Sequence, residues 1–357
     1  MAGSPGVSVR LCPEKELPVA LELARACYGA EANPLEWWRW RYFGSYSVLP
    51  VIYVAELAGQ LVGMTAVGFF RYSLHRRALT GALFTDVMVH PEHRRKGVFS
   101  KLTSACVQAA WQRGADFIGG MPSDLSLPGF VKAGWTDIGD RAFLVCPLRL
   151  SADAWKAHGP SWTSLLMTLP AIVSESRYSR ASSEGTVIEE VQRFDSTADV
   201  LADEFARSTT GIVLLRDSAW LNWRYCEKPG NDYRRFVART RDGTLLGVAV
   251  TKLERRFGIR AGFIVELTAV LPEARRVLIG AMFHSLREQG AEVAATVLSD
   301  SKAIDELRKL GLILVPRLVS PKKFHTIFLP RPENADLLAA GREVKAWYLT
   351  LGDWDAI

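Results

Sequence analysis

The sequence predicts a tandem α/β protein in which one architecture, helices packed on a mixed sheet, is used twice. Three observations predict it. An aromatic helical segment recurs: Trp37-Trp38-Arg39-Trp40-Arg41-Tyr42 returns 183 residues later as Trp220-Leu221-Asn222-Trp223-Arg224-Tyr225. Each copy is followed by a strand, a turn and a second strand, VAELAGQLVG from Val54 and VARTRDGTLLG from Val237. Each then has an apolar strand closing at a proline, Pro91 or Pro272, 181 apart. The offset falls again to 177 between Gly134 and Gly311, as a few loop deletions would produce.

Each copy reads in the same order: an N-terminal helical stretch, two or three strands, a long strand, a helix, a strand, a short helix and a closing strand. In the first copy Leu102, Cys106, Val107, Ala109 and Ala110 keep helical spacing up to a stop at Gly114. ADFIGGMP then reads as a strand. Strands alternating with crossover helices make a mixed-sheet α/β (α+β) layer fold. The polar Ser/Gly/Arg stretch at 151–185 reads as a linker, dividing the chain into 1–150 and 186–357. The tryptophans read as the core face of a helix. The aromatic C-terminus, Trp347 to Asp355, is expected to dock as a final strand, beside the first copy's site.

With 48% hydrophobic and 23% charged residues, the chain can bury a core and is not a disordered or collagen-like sequence. A net charge of +6 suits a phosphate-bearing ligand but falls short of a polycation that coats nucleic acid. The five cysteines are odd in number, contain no CxxC pair and fit a reducing compartment. With no signal-like run before the first helix and no apolar window of membrane length, a cytoplasmic protein without membrane or nucleic-acid partners is expected, as monomer or homodimer.

The most informative segment runs from Val89 to Leu102. A strand ends at Val89, a loop carries Arg94, Arg95 and Lys96, Gly97 follows, and a helix opens at Val98, Phe99 and Ser100. Main-chain N–H groups at a helix N-terminus, with the positive end of its dipole, form a diphosphate site, and glycine permits close approach. In the second copy Leu278 stands where Gly97 stands, so that copy is expected to bind no such ligand; Arg275 and Arg276 read as surface charges. By the same reasoning Gly97→Leu should abolish ligand binding and Leu278→Gly should change little. Asp86, alone in the apolar strand FTDVMV, is costly to bury unless paired or used, Arg41 being one available partner. Thr85 should pack on the opposite face. Ser123, Asp124 and Ser126 form a polar loop at a strand's C-terminal end, a usual place for ligand groups, or cap the short helix behind. His75, His158 and His325 lack metal spacing, and no metal is expected.

The order strand, Pro-Glu-x-Arg-Arg-Lys-Gly loop, helix resembles the signature of the GNAT superfamily of acyl-CoA-dependent N-acyltransferases, with Arg94, Gly97 and Phe99 at its three fixed positions. Phe99 replaces the usual small residue, so its amide would have to reach the phosphates past a bulkier neighbour. The resemblance covers about residues 50–145, including the Gly134-Trp135 pair, and the repeat extends the fold to a second, degenerate copy. It implies acetyl-CoA or another acyl-CoA as co-substrate, with Met88 or Val89 at a strand bulge whose N–H meets the thioester carbonyl. It implies Asp86 as amine anchor or general base. Phe130 stands where the family usually has the tyrosine that protonates the leaving thiolate. That proton would then come from solvent, Asp124, Ser126 or the second copy, or the thiolate would leave ionised. The acceptor implied is a small-molecule amine, lying between the halves. The tandem layout is similar to enzymes that acylate amino sugars, including nucleotide-linked ones. Two alternatives stand beside this: a non-catalytic acyl-CoA sensor, and an aminoacyl-tRNA-dependent transferase, a class that generally lacks the Arg94–Gly97 cradle.

Overall fold

The computed structural model describes residues 6–46, 50–148, 185–230, 232–256, 258–320 and 322–353. The expected linker lies outside them, apart from Gly185. The chain divides into two compact units, the first made of Met1–Gly139, Glu227–Pro229 and His325–Glu343, the second of Asp140–Cys226, Gly230–Phe324 and Val344–Ile357.

The first unit opens with β1 (Ser8–Leu11), α1 (Leu17–Tyr28) and α2 (Leu35–Phe43), then β2 (Val51–Leu57), β3 (Gln60–Leu74) and β4 (Arg77–Val89). These four strands form an antiparallel run. Both tight hairpins are closed by two residues with positive φ, Ala58-Gly59 and His75-Arg76, the turn whose twist matches that of the strands it joins. Helix α3 (Val98–Gln112) crosses over to β5 (Phe117–Gly120), parallel to β4, and α4 (Leu127–Lys132) leads to β6 (Thr136–Asp140). Gly63 lets α3 lie close on the sheet: a Cβ there would stand 2.6 Å from Val98 Cγ1. Trp37, Trp38 and Trp40 are all buried, as a core helix face requires.

The next strand, β7 (Ala142–Pro147), belongs to the second unit, departing from a division at 150. That unit continues with β8 (Thr186–Glu190), α5 (Thr197–Ser208), β9 (Ile212–Leu214), α6 (Ser218–Tyr225), β10 (Arg234–Thr240), β11 (Leu245–Arg256) and β12 (Ile259–Ala269). Then come α7 (Pro272–Glu288), β13 (Val293–Leu298), α8 (Ser301–Lys309) and β14 (Ile313–Leu314). The chain returns to the first unit with β15 (His325–Pro330) and α9 (Ala335–Ala340), and ends in the second with β16 (Trp347–Tyr348).

The strand orders are β1-β2-β3-β4-β5-β15-β6 and β8-β10-β11-β12-β13-β7-β14. Along these seven-strand paths the order is the same read through the repeat, with one strand of each path, β15 or β7, drawn from the other half of the chain. This exchange places Ile327 of β15 in the first core with Phe84, Ile118 and Phe130, and Leu144 and Cys146 of β7 in the second with Leu278, Met282 and Phe283. All five cysteines are free thiols. No helix among the described residues is long and apolar enough to cross a membrane.

Candidate active site

Strands β4 and β5 pair only from Gly81–Phe117 to Phe84–Gly120, and β4 then runs on alone through Thr85–Val89, opening a wedge in the sheet. On the other side β4 follows β3, but Met64 faces Met88 while Ala66 faces Thr85, so Asp86 and Val87 together oppose Thr65. This is a β-bulge. It lies two residues before the expected Met88–Val89. The reason is conformational: Asp86 takes φ 49°, which aspartate tolerates and a β-branched valine does not. The Met88 side chain is buried, and Val89 pairs in register with Gly63.

The bulge turns neighbouring side chains to one partner. Tyr42, fully buried on α2, donates its hydroxyl hydrogen to Asp86 Oδ2 and lies 3.1 Å from Thr85 Oγ1. Asp86 is therefore held by Tyr42, and Thr85 joins the same group instead of simply packing. Burial first, then the Asp86 charge, push the Tyr42 phenol well above its ordinary pKa, so it stays a donor. Tyr28, at the end of α1, feels both Asp86 and Arg94; partial burial and then the Asp86 charge push its phenol up to about 12. The sequence reading missed both tyrosines. One signal was present: Tyr42 recurs as Tyr225, whose hydroxyl also donates to a strand carboxylate, Glu266, at 3.2 Å.

Beyond β4 a 3-10 turn (Pro91–His93) leads to Arg94 in extended conformation, Arg95 at φ 62°, Gly97 at φ 78° and the first turn of α3. The N–H groups of Arg95, Lys96, Gly97, Val98, Phe99 and Ser100 meet no acceptor among the described residues; the next, Lys101 N–H, bonds Gly97 O at 3.1 Å. Residues Arg94–Gly97 are exposed, and Arg94 Nε reaches back to Val89 O at 3.4 Å. A Cβ on Gly97 would meet nothing within 4 Å, so its φ, not crowding, demands glycine, and the space above it is open. Six free donors, a helix dipole and three cations make a strong oxyanion cradle.

Phe99 does not stand over this cradle. Its ring packs edge-on to Phe130 at 5.0 Å, against Gly129, where a Cβ would come within 2.9 Å of it. Phe130 is only 2% exposed, sealed among Phe84, Phe99 and Trp135, which corrects its expected place against the co-substrate. Val98 likewise buries its side chain and offers only its amide.

In the loop after β5, Ser126 Oγ accepts from Ser123 N–H at 3.0 Å and lies 3.2 Å from Ser123 Oγ, so it ties the loop together. Asp124 is exposed, and its Oδ1 lies 2.6 Å from Nε2 of His325, itself 3% exposed at the start of β15. Sequence spacing could not pair two residues 201 apart whose meeting depends on the strand exchange.

In the second copy the helix begins at Pro272 itself, and the loop that forms the cradle is missing. Leu278 lies inside that helix, fully buried, with Gly247 making room for it: a Cβ there would stand 2.9 Å from Leu278 Cδ1. The physical reason for degeneracy thus differs from the expected one, since the amides are consumed by an earlier helix start. Leu278→Gly is consequently not neutral. Even Leu278→Ala is expected to cost about 3–5 kcal/mol, read by chemical denaturation. Arg275 is also not a free surface charge, pairing with Glu306 at 2.9 Å.

The β12–β13 pairing stops at Phe263–Ala295, leaving the same kind of wedge. Here the C-terminal segment fills it. Strand β16 pairs with β9, Leu349 N–H bonds Ser299 Oγ at 2.8 Å, Tyr348 donates to Leu267 O, and Arg224 Nε holds Gly352 O at 3.0 Å. Arg216 sits between Glu266 and Asp353, 2.7 Å from each, all three fully buried. The expected final strand is therefore two residues long and docks in the second unit; Trp354 and Asp355 lie outside the described residues.

Residues 8–137 match the acetyltransferase (GNAT) domain family. A GCN5-related N-acetyltransferase from Kribbella flavida superposes with TM-score 0.65 at 13% identity, over 95% of this chain and 74% of that one. One from Anabaena variabilis gives 0.64 at 12%, over 90% and 72%. A GCN5-related glucosamine N-acetyltransferase region of a fungal multi-domain GH3 β-N-acetylglucosaminidase gives 0.59 at 13%, over 92% of this chain and 38% of that one. At such identities these likenesses speak for the fold alone. No curated protein matches the chain by sequence.

Proposed function

From a chain whose residues 8–137 match the acetyltransferase (GNAT) domain family, we propose an enzyme that moves an acyl group, acetyl first among them, from acyl-CoA to a primary amine of a small molecule. The observation that carries this is the run of six unbonded amides from Arg95 to Ser100, flanked by Arg94, Arg95 and Lys96. It suits the diphosphate of coenzyme A, and the open wedge beside Thr85–Val89 leaves main-chain groups for its pantetheine arm and thioester.

The amine attacks the thioester carbonyl directly, in a ternary complex without a covalent enzyme intermediate. Asp86, held by Tyr42, takes the amine proton directly or through a water. Tyr28, a protonated phenol in the field of both Asp86 and Arg94, donates to the thiolate a hydrogen bond that Phe130 cannot, and the thiolate leaves ionised and takes its proton from water. Asp124, anchored by His325, presents an exposed carboxylate to the cationic acceptor. An amino sugar is the acceptor class we favour, supported by the tandem layout and by the glucosamine N-acetyltransferase region sharing this fold.

Calorimetric titration with acetyl-CoA, followed by thiol release over a panel of amino sugars and other amines, tests the reading. We expect one site per chain and turnover with at least one amine. Gly97→Leu forces a branched residue to positive φ and puts it over the amides; it should weaken acetyl-CoA by roughly a hundredfold or more while the fold persists. Binding without thiol release across the panel would favour a sensor. Absence of binding would remove the proposal.

A further inference from the structure

We propose that His90, Glu92 and His93 form a binding site for a divalent cation of the zinc class. No metal was expected from the sequence, where attention fell on isolated histidines elsewhere. In the structure the ligand atoms of these three side chains all lie within 4.8 Å of one another. The 3-10 turn explains why: residues three apart eclipse on such a turn, which brings His90 and His93 together with ring centroids 5.5 Å apart.

The turn is fixed before any ion arrives. His90 N–H bonds Val62 O at 2.9 Å, and His93 N–H bonds His90 O at 2.9 Å. The side chains, by contrast, are little used. His93 Nδ1 is sealed from solvent without a hydrogen-bond partner, and His90 Nδ1 accepts only a long 3.4 Å bond from Glu92 N–H, which an ion would displace. Glu92 is exposed and makes no ion pair among the described residues.

Two imidazoles and one carboxylate are the donor set of a tetrahedral zinc-class ion that keeps one position for water. Calcium or magnesium would want oxygen ligands in greater number. The site rests on this local geometry alone and does not depend on acyl transfer. It also shares its loop with the cradle, because the residue after His93 is Arg94, so a bound ion would clamp the turn that presents that arginine.

Cobalt(II) titration of the intact, reduced protein, followed by visible absorption and then displacement with zinc, tests the proposal. One ion per chain is expected, with bands of nitrogen and oxygen ligands. The double variant His90→Gln/His93→Gln should lose at least about tenfold in affinity, and Glu92→Gln should lose less. His90 and His93 are half-buried and glutamine is close to histidine in size, so circular dichroism should be unchanged. Thiolate-to-cobalt charge-transfer bands would place the ion on cysteine and overturn the proposal. So would an unaltered affinity in the double variant, or no saturable binding.

Discussion

Replacing Asp86 by Asn is expected to lower kcat by about two to four orders of magnitude while acetyl-CoA affinity stays within a few-fold of the parent. The substitution is chosen to isolate charge. Asparagine tolerates the positive φ of the bulge as aspartate does, so the main chain at Asp86–Val87 keeps its shape. What disappears is the proton acceptor at the wedge and the charged partner of Tyr42. Asp86→Ala would confound the result by adding backbone strain. Tyr42→Phe supplies the graded control: it leaves the carboxylate but removes the hydroxyl that orients it, and a loss of about tenfold is expected. Steady-state rates with saturating acetyl-CoA decide the matter. An Asp86→Asn enzyme within threefold of wild type would show that the carboxylate only anchors α2.

The residues that could be read from sequence were those whose chemistry is local. Arg94–Gly97 announced themselves because a helix N-terminus, its cations and its glycine are contiguous, and the structure keeps them in one loop. Asp86 was visible as a charge in an apolar strand. The bulge at Asp86–Val87 was placed two residues late, because the register shift past Thr65 of β3 arises only when the strands pair, although the aspartate that tolerates its positive φ stood in the sequence. His325 was illegible for a deeper reason. Its partner Asp124 reaches it only because β15, from the end of the second repeat, inserts beside β5. Chain-order reading assigns each strand to its own copy, so a strand exchange hides whatever side chains it delivers. Phe130 erred in the opposite direction: a family position was legible, but the aromatic cluster around it closes the surface it would need.

Deleting residues 346–357 is expected to destabilise the second unit by at least about 5 kcal/mol, enough to abolish its cooperative unfolding transition. Trp347, Tyr348, Leu349 and Leu351 are each at most 5% exposed, and truncating even one such side chain costs about 3–5 kcal/mol. The deletion also strips Asp353 from Arg216. A point variant separates packing from charge. Arg216→Met keeps the apolar volume but leaves Glu266 and Asp353 as buried carboxylates without their shared cation, for a loss of about 3–5 kcal/mol. That loss carries a pH signature. Burial already raises the Asp353 pKa above its ordinary value, with Arg216 opposing the shift, so removing Arg216 raises it further. A carboxyl whose folded pKa exceeds its unfolded one binds more protons when folded, and its contribution falls as pH rises from about 4 through the folded value. The variant should therefore recover part of its stability at pH 5 relative to pH 8, measured as the difference in Tm from wild type. A deficit independent of pH would mean that Arg216 serves the core through its packing against Trp220 and Tyr348 and not through its charge.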